Sequence, residues 1–388
     1  MLRHLCVGVG VLLAAAELST TTAADLAQEI HRTVRDGRKV FVVPAGKHVL
    51  PKGLLLDSVS GFTLRGEPGA VLQLNPVAFA LAGADVPSGS TTIPVSRMQN
   101  ITKGIRLWIE ADGDVDTFTK KPKPYFLAEV LEVAANHIVV KQPLAHSIPV
   151  GTQIRDSEGP NLIELRNCSQ IRMEQLTLDG GRTADDPVIH GHAQLCGVFA
   201  SGKYSYESGL LGPRPSGLEV RDCVIRNCFG RGIAWYAIEN SVVERTTIED
   251  CADEGIDLDH FSELCRVSEC RVARCRIGIE MNDANRCLIE DNSFDRCETG
   301  LSLWRWCKQP GLNEENVVVG NRFTNCVGNG LQIGAGTARN RIVGNSIQST
   351  GRNGISLHGE GQIVYDNRIV DFKLKEIAVN GGTHQFAP

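Results

Sequence analysis

The sequence predicts an all-β chain wound into one long parallel β-helix, and three observations carry that expectation. Seven segments align under one another from about Leu218 to Asn380: LEVRDCVIRNCFGRGIAWYA, SVVERTTIEDCADEGIDLDH, CRVSECRVARCRIGIEMND, CLIEDNSFDRCETGLSLWR, VVVGNRFTNCVGNGLQIGA, RIVGNSIQSTGRNGISLHG and QIVYDNRIVDFKLKEIAVN. One column, Cys228, Cys251, Cys275, Cys297, Cys326, Thr350 and Phe372, recurs at spacings of 23, 24, 22, 29, 24 and 22 residues. Each unit holds three short strand-like pieces, and that count with a period near 23 makes each unit one coil of a β-solenoid. A leucine-rich repeat has a similar period, but its regular Leu/Asn pattern and helical arm are missing.

Within a unit the first strand ends at a turn column of Cys223, Thr246, Cys270, Asn292, Asn321, Asn345 and Asn367. Asparagine tolerates left-handed backbone, and stacked amides can bond from coil to coil, so both are expected there. A second strand and turn lead to a Gly-[Ile/Leu]-x-apolar-x strand. These repeats resemble the right-handed parallel β-helix of the pectate-lyase-like superfamily, including its asparagine ladder. The resemblance implies a right-handed coil over most of the chain, a fold that hosts many chemistries.

The remaining segments are read in order. MLRHLCVGVGVLLAAAELSTTTAA, residues 1–24, has a basic start, a short apolar run and small residues at its end, the pattern of a secretory signal peptide. The protein is therefore expected to be secreted or periplasmic, with residues 25–388 as one domain. Asp25 with Gln28 suggests a weak capping box. Leu26, Ile30 and Val34 share one helix face, and that helix is expected to cap the open end of the first coil. KVFVVPAGKHVL is read as the first strand and turn, and GLLLDSVSGFTLRGEPGAVLQL as the continued winding. Residues from about 79 to 155 break the period and alternate like antiparallel strands, which predicts a small β insertion with a basic tip, KKPKP, at 120–124. The coils resume at NLIELRNCSQIRMEQLTLDGG. KYSYESGLLGPRPS, at 203–216, reads as a loop passing over one face.

Composition sets outer limits. Apolar content of 42% and charged content of 22% fit a globular chain, and a net charge of -5 gives no reason to expect nucleic acid. No later apolar run is long enough for a membrane span. A monomer is expected. Removing Cys6 with the leader from 13 cysteines leaves an even number, as disulfides would require. Most fall in the two repeat columns, however, where an inward Cys serves as a small hydrophobe. Coils stack about 4.8 Å apart, so an occasional bridge is geometrically open. Zinc is not expected, because no C-x-x-C pair has a matching second pair.

The candidate site centres on DEGIDLDHF, residues 253–261. Alternation turns Ile256 and Leu258 inward and Asp257 and Asp259 outward. Stacking the coils gives one outward column of Ala234, Asp257, Glu280, Ser302, Gln332, Ser356 and Ala378. The other reads Tyr236, Asp259, Asn282, Trp304, Gly334, His358 and Asn380. Asp257, Asp259 and Glu280 thus form an acidic triangle, completed to a square by Asn282, with sides of about 4.8 and 6.6 Å. Like charges side by side on a sheet are destabilising, so such a cluster points to a bound cation, raised carboxyl pKa values or both. Calcium at Asp257, Asp259 and Glu280 is one expectation, with no other cofactor. Tyr236 and Trp304, about 14 Å apart over three coil steps, are expected to offer aromatic faces to sugar rings. His260 is a candidate acid or base, and Arg305 is expected either to meet a substrate carboxylate or to pair with Glu280. His190 and His192 are more distant candidates, and His358 lies four coils beyond Asp259.

GIDLDHFS also resembles the Asp-Pro-His-[Asp/Glu] signature of mannuronan epimerases, which share the β-helix fold. Asp257 takes the place of the motif's first Asp. Leu258 replaces Pro, Asp259 replaces His, His260 falls one position late, and Glu254 stands where a tyrosine is expected. A one-residue shift moves a strand side chain to the other face. Three readings stay open, all with a polysaccharide as partner. The first is a lyase or epimerase, the second a glycoside hydrolase with two of the three acids as its catalytic pair. The third is a non-catalytic glycan-binding or structural protein.

Overall fold

The structure is a computed structural model, and it describes residues 23–75, 78–115, 121–157, 161–183, 186, 195–307 and 309–387. Residues 1–22 of the expected leader, Lys120 at the basic tip, His190 and His192 lie outside the described residues. A helix, Ala23–Arg35, opens the chain and buries Leu26 and Ile30 in the main core, with Val34 packed against it. Asp25 lies inside this helix rather than ahead of it, so it is not the N-cap residue the sequence suggested.

Three parallel sheets then run the length of the molecule, with eleven, ten and ten strands. Each coil contributes one strand to each sheet, and neighbours within a sheet come from successive coils. KVFVVPAGKHVL proves to hold two strands, Val40–Val43 and Gly46–Leu50, each pairing into a different sheet. Inward side chains form one continuous core in which Val243, Ile256, Leu258, Val267, Ile279 and Leu303 are fully hidden. The column Cys228, Cys251, Cys275, Cys297, Cys326 and Thr350 is buried, but Phe372 is 38% exposed because the stack ends there. All twelve described cysteines are buried free thiols.

Glycine before each outward strand is a packing requirement. A Cβ on Gly255 would come within 2.4 Å of Val272 Cγ1 and 2.8 Å of the Gly278 carbonyl oxygen, and the same close approach recurs at Gly232, Gly278 and Gly300. In the turn column, Asn292 donates to Asn321, Asn321 to Asn345 and Asn345 to Asn367, at 2.9–3.1 Å. The left-handed residue is not the asparagine itself. It is the preceding one, Asp291, Gly320, Gly344 and Asp366 in turn, which frees the amide to bridge coils. A second run of amides, Asn316 to Asn340 and on to the backbone contact of Gln362, lines the neighbouring turn.

The insertion is a closed antiparallel barrel of six strands, Phe79–Ala82, Thr92–Gln99, Arg106–Ile109, Phe126–Val133, His137–Val140 and Gln153–Asp156. Closure removes its edges and lets Ile93, Leu107, Ile138 and Ile154 form a separate core. No helix among the described residues is long and apolar enough to cross a membrane.

Candidate active site

The site lies on the outward face of one ten-stranded sheet, at the strands Ile233–Tyr236, Glu254–Asp259, Ile277–Asn282 and Thr299–Trp304. The pairing register sets Asp257 against Ala234 on one side and Glu280 on the other, and Glu280 against Ser302. Asp259 is paired with Tyr236, and Asn282 with Trp304.

The face is not an open strip. Asp257 is 0% exposed and Asp259 4%, whereas Glu280 and Asn282 are half-buried and Trp304 is 38% exposed. The cover is the excursion at 203–216, whose antiparallel pair Tyr204–Ser205 and Gly209–Leu210 forms a strap. Tyr204 lies 5.1 Å from the His260 ring and 6.4 Å from Tyr236 between ring centres. The Tyr206 hydroxyl meets His260 Nε2 at 3.2 Å. Arg214 anchors the strap by donating to the Phe261 carbonyl at 2.6 Å and pairing with Glu263 at 2.8 Å. His260 is therefore not a solvent-facing turn residue but a buried one, and it and Phe261 both take left-handed backbone. That conformation is an outlier for bulky residues.

Tyr236 offers no face to a sugar. Its ring is buried between Phe199 and Tyr204, and its hydroxyl donates to Asp257 Oδ2 at 3.1 Å. The other partner of Asp257 Oδ2 is the buried guanidinium of Arg231, with Nε 2.9 Å away. Arg231 Nε also lies 2.7 Å from Glu254, and Arg276 pairs with both Asp253 and Glu254. Three carboxyls, Asp253, Glu254 and Asp257, thus share two arginines, with Glu280 beside them. This cluster was missed from the sequence, although its signal is there. Arg231 and Glu254 each precede the glycine of consecutive repeats, and Asp253 and Arg276 stand one residue earlier, so opposite charges stack in two adjacent columns.

The charges settle unequally. Burial pushes Asp257 well above the usual carboxylate range, and Asp259 adds to it while Arg231 pulls the other way. Burial likewise lifts Glu254 to about 8 and Glu280 to about 7, the latter helped by Asp257 and Asp259. Asp253 is opposed by burial, but Arg231 and Arg276 outweigh it and hold the group low. Burial alone would depress His260, yet its contacts with Asp259 and Asp283 raise it to about 9. Glu280 is the exception in the cluster, with no hydrogen bond or ion pair to any described residue.

Arg305 turns away from the acids. Its Nε donates to the Cys307 carbonyl at 3.2 Å, and its stem lies beside Gly336 in a cavity of about 420 Å³ shared with Glu314, His358 and Glu360. His358 therefore belongs to a different surface. Of the three acids expected to hold calcium, Asp257 is paired with the Arg231 guanidinium.

The family model described as "Right handed beta helix region" matches residues 153–314. No curated protein matches the sequence. Among solved structures, a glycoside hydrolase is similar at 12% identity with a TM-score of 0.54, over 94% of this chain and 92% of that one. A mannuronan C-5 epimerase A-module from Azotobacter vinelandii is similar at 12% identity and TM-score 0.51, over 94% and 95% of the two chains. The Dettilon tailspike protein is similar at 12% identity and TM-score 0.51, with 95% of this chain spanning 66% of that one. At such identities the likeness establishes shared architecture, and it agrees with the stacked register of all three sheets. The chain folds as a right-handed parallel β-helix.

Proposed function

We propose that the protein acts on a polysaccharide as a glycoside hydrolase, with Glu280 as general acid and Asp257 as its partner carboxylate. The observation that carries this reading is the contrast between the two groups. Glu280 makes no pair with any described residue, is half-buried, and burial lifts its pKa to about 7, so it keeps a proton on about half of the molecules at neutral pH. Asp257 sits one coil away, with one oxygen held by Tyr236 and Arg231 and the other, Oδ1, buried without a hydrogen bond. Burial keeps Asp257 protonated beneath the strap, so it becomes the ionised base or nucleophile only once the strap lifts and the charge of Arg231 prevails. Pairing on neighbouring strands suits the short carboxyl separation of a retaining mechanism. Lyase or epimerase chemistry needs a cation for a uronate carboxylate, and Arg231 and Arg276 are already engaged by protein acids. Asn282 and the half-exposed Trp304 extend the face for sugar binding, and the strap must lift for a sugar to reach Asp257. The leader at 1–24 supports export to where such polymers occur.

The complete burial of Asp257 favours a second reading, in which the cluster is structural and glycan only binds along Glu280, Asn282 and Trp304. One assay separates the two. Incubation with a panel of neutral and uronic polysaccharides should release reducing ends without an unsaturated product. Glu280→Gln should lower that rate by about 10²–10⁴-fold with the fold intact. Binding with no product from any polymer would replace the hydrolase by the second reading.

A further inference from the structure

The turn beneath the strap brings together three side chains with no part in the proposed hydrolysis. His260, Asp283 and Cys307 each follow an outward strand, those ending at Asp259, Asn282 and Trp304, so three consecutive coils contribute one residue apiece. One donor atom from each lies within 4.8 Å of the other two, and all three residues are buried. From these contacts we propose that His260, Asp283 and Cys307 form a binding site for a thiophilic divalent metal ion, zinc being the natural occupant.

The geometry leaves a place for an ion beside the direct contacts. His260 Nδ1 is hidden from solvent and makes no hydrogen bond, although Asp259 Oδ1 lies 2.9 Å away off the ring-nitrogen axis. Its distance to Asp283 Oδ2 is 3.6 Å, too long for a hydrogen bond. It is close to the edge of a tetrahedron, about 3.4 Å, implied by zinc–ligand lengths of about 2.0–2.2 Å. Outer contacts orient two of the donors. Asp283 accepts backbone N–H bonds from Trp306 and Cys307 at 2.8 and 3.0 Å, and the Tyr206 hydroxyl stands on the far nitrogen of His260. Such supporting bonds fix ring tautomer and carboxylate orientation at metal centres. Sulfur and imidazole donors select zinc or cobalt over calcium or magnesium. Three protein ligands leave a fourth position for water or a substrate oxygen, with Asp259 at the border. The sequence pattern that argued against zinc looked for paired cysteines close in the chain. Here the ligands are 23 and 24 residues apart and converge only because the coils stack.

An ion here would clasp three coils and, through Tyr206, the strap. This site stands whether or not the neighbouring face turns over a glycan. The test is a cobalt titration of the full-length, chelator-treated protein. One equivalent should bind with the intense visible bands of tetrahedral Co²⁺ and a near-ultraviolet thiolate-to-cobalt charge-transfer band, and zinc should displace it. Cys307→Ala and Cys307→Ser should both lose the charge-transfer band, although the other eleven buried thiols remain. Asp283→Ala should weaken binding at least tenfold. A wild-type protein that takes up no stoichiometric cobalt would overturn the proposal, and so would an unchanged charge-transfer band in either Cys307 variant.

Discussion

The coils around Asp257 and those from Asn313 onward bury polar groups in opposite ways. In the earlier coils, three carboxyls and two arginines share one cluster, and the turn column of the same coils holds Cys223, Thr246 and Cys270. In the later coils, amides stack on amides, and each asparagine both donates to and accepts from its neighbours, as Asn321 does with Ile289, Val319, Asn345 and Asn292. An amide stack satisfies itself without net charge, whereas a charged cluster must be desolvated and is left exposed to any change in protonation. The difference separates a region built for stability alone from one that accepts a stability cost to hold protons near neutral pH.

The largest effect should come from breaking the charged region at its centre. Arg231→Met is expected to destabilise the protein by about 3–5 kcal/mol, because it strands buried carboxyls without their cation. Since Glu254 and Asp257 already hold protons more tightly than usual, the loss should be smaller near pH 5 than near about pH 8. Denaturant unfolding at the two pH values measures it, and equal losses would mean that the carboxyls are not coupled through Arg231.

Glu280 sharpens the same contrast. Its native pKa of about 7 lies above the ordinary 4.5, so the folded state binds the proton more tightly and stability falls as pH rises between those values. Glu280→Gln should therefore be more stable than wild type above about pH 7 and indistinguishable below pH 4.5. Catalysis by the protonated acid should decline across the same upper limit. A melting difference independent of pH would remove Glu280 from the role of acid.

The smallest effects belong to the amide stack. Asn321→Ala should cost about 1–3 kcal/mol at any pH between 5 and 8, since no group there titrates. Asn367→Ala, at the partly buried end of the run, should cost less than Asn321→Ala. Equal melting temperatures for the two variants would show that burial does not set the value of these bonds.

Asp257 and Glu280 as neighbours, Tyr236 beside Asp259, and Trp304 beside Asn282 were all legible from repeat alignment, because a parallel register copies the alignment directly. The role of Tyr236 was not, since a ring's exposure depends on what crosses above it. Nor was it legible that the like-charge square would be relieved by Arg231, because the partner approaches from the column before the glycine rather than from the outward columns.

By itself, the sequence determined the period, the inward columns and which residues of successive coils meet, since a solenoid makes each coil contact only its neighbours. Tertiary structure decided the rest. It closed the insertion into a barrel, laid Tyr204 and Tyr206 over the acids, turned Arg305 away, and brought His260, Asp283 and Cys307 together. Each of these depends on how a loop leaves its coil and returns, and loop paths follow side-chain contacts across coils that no repeat period encodes.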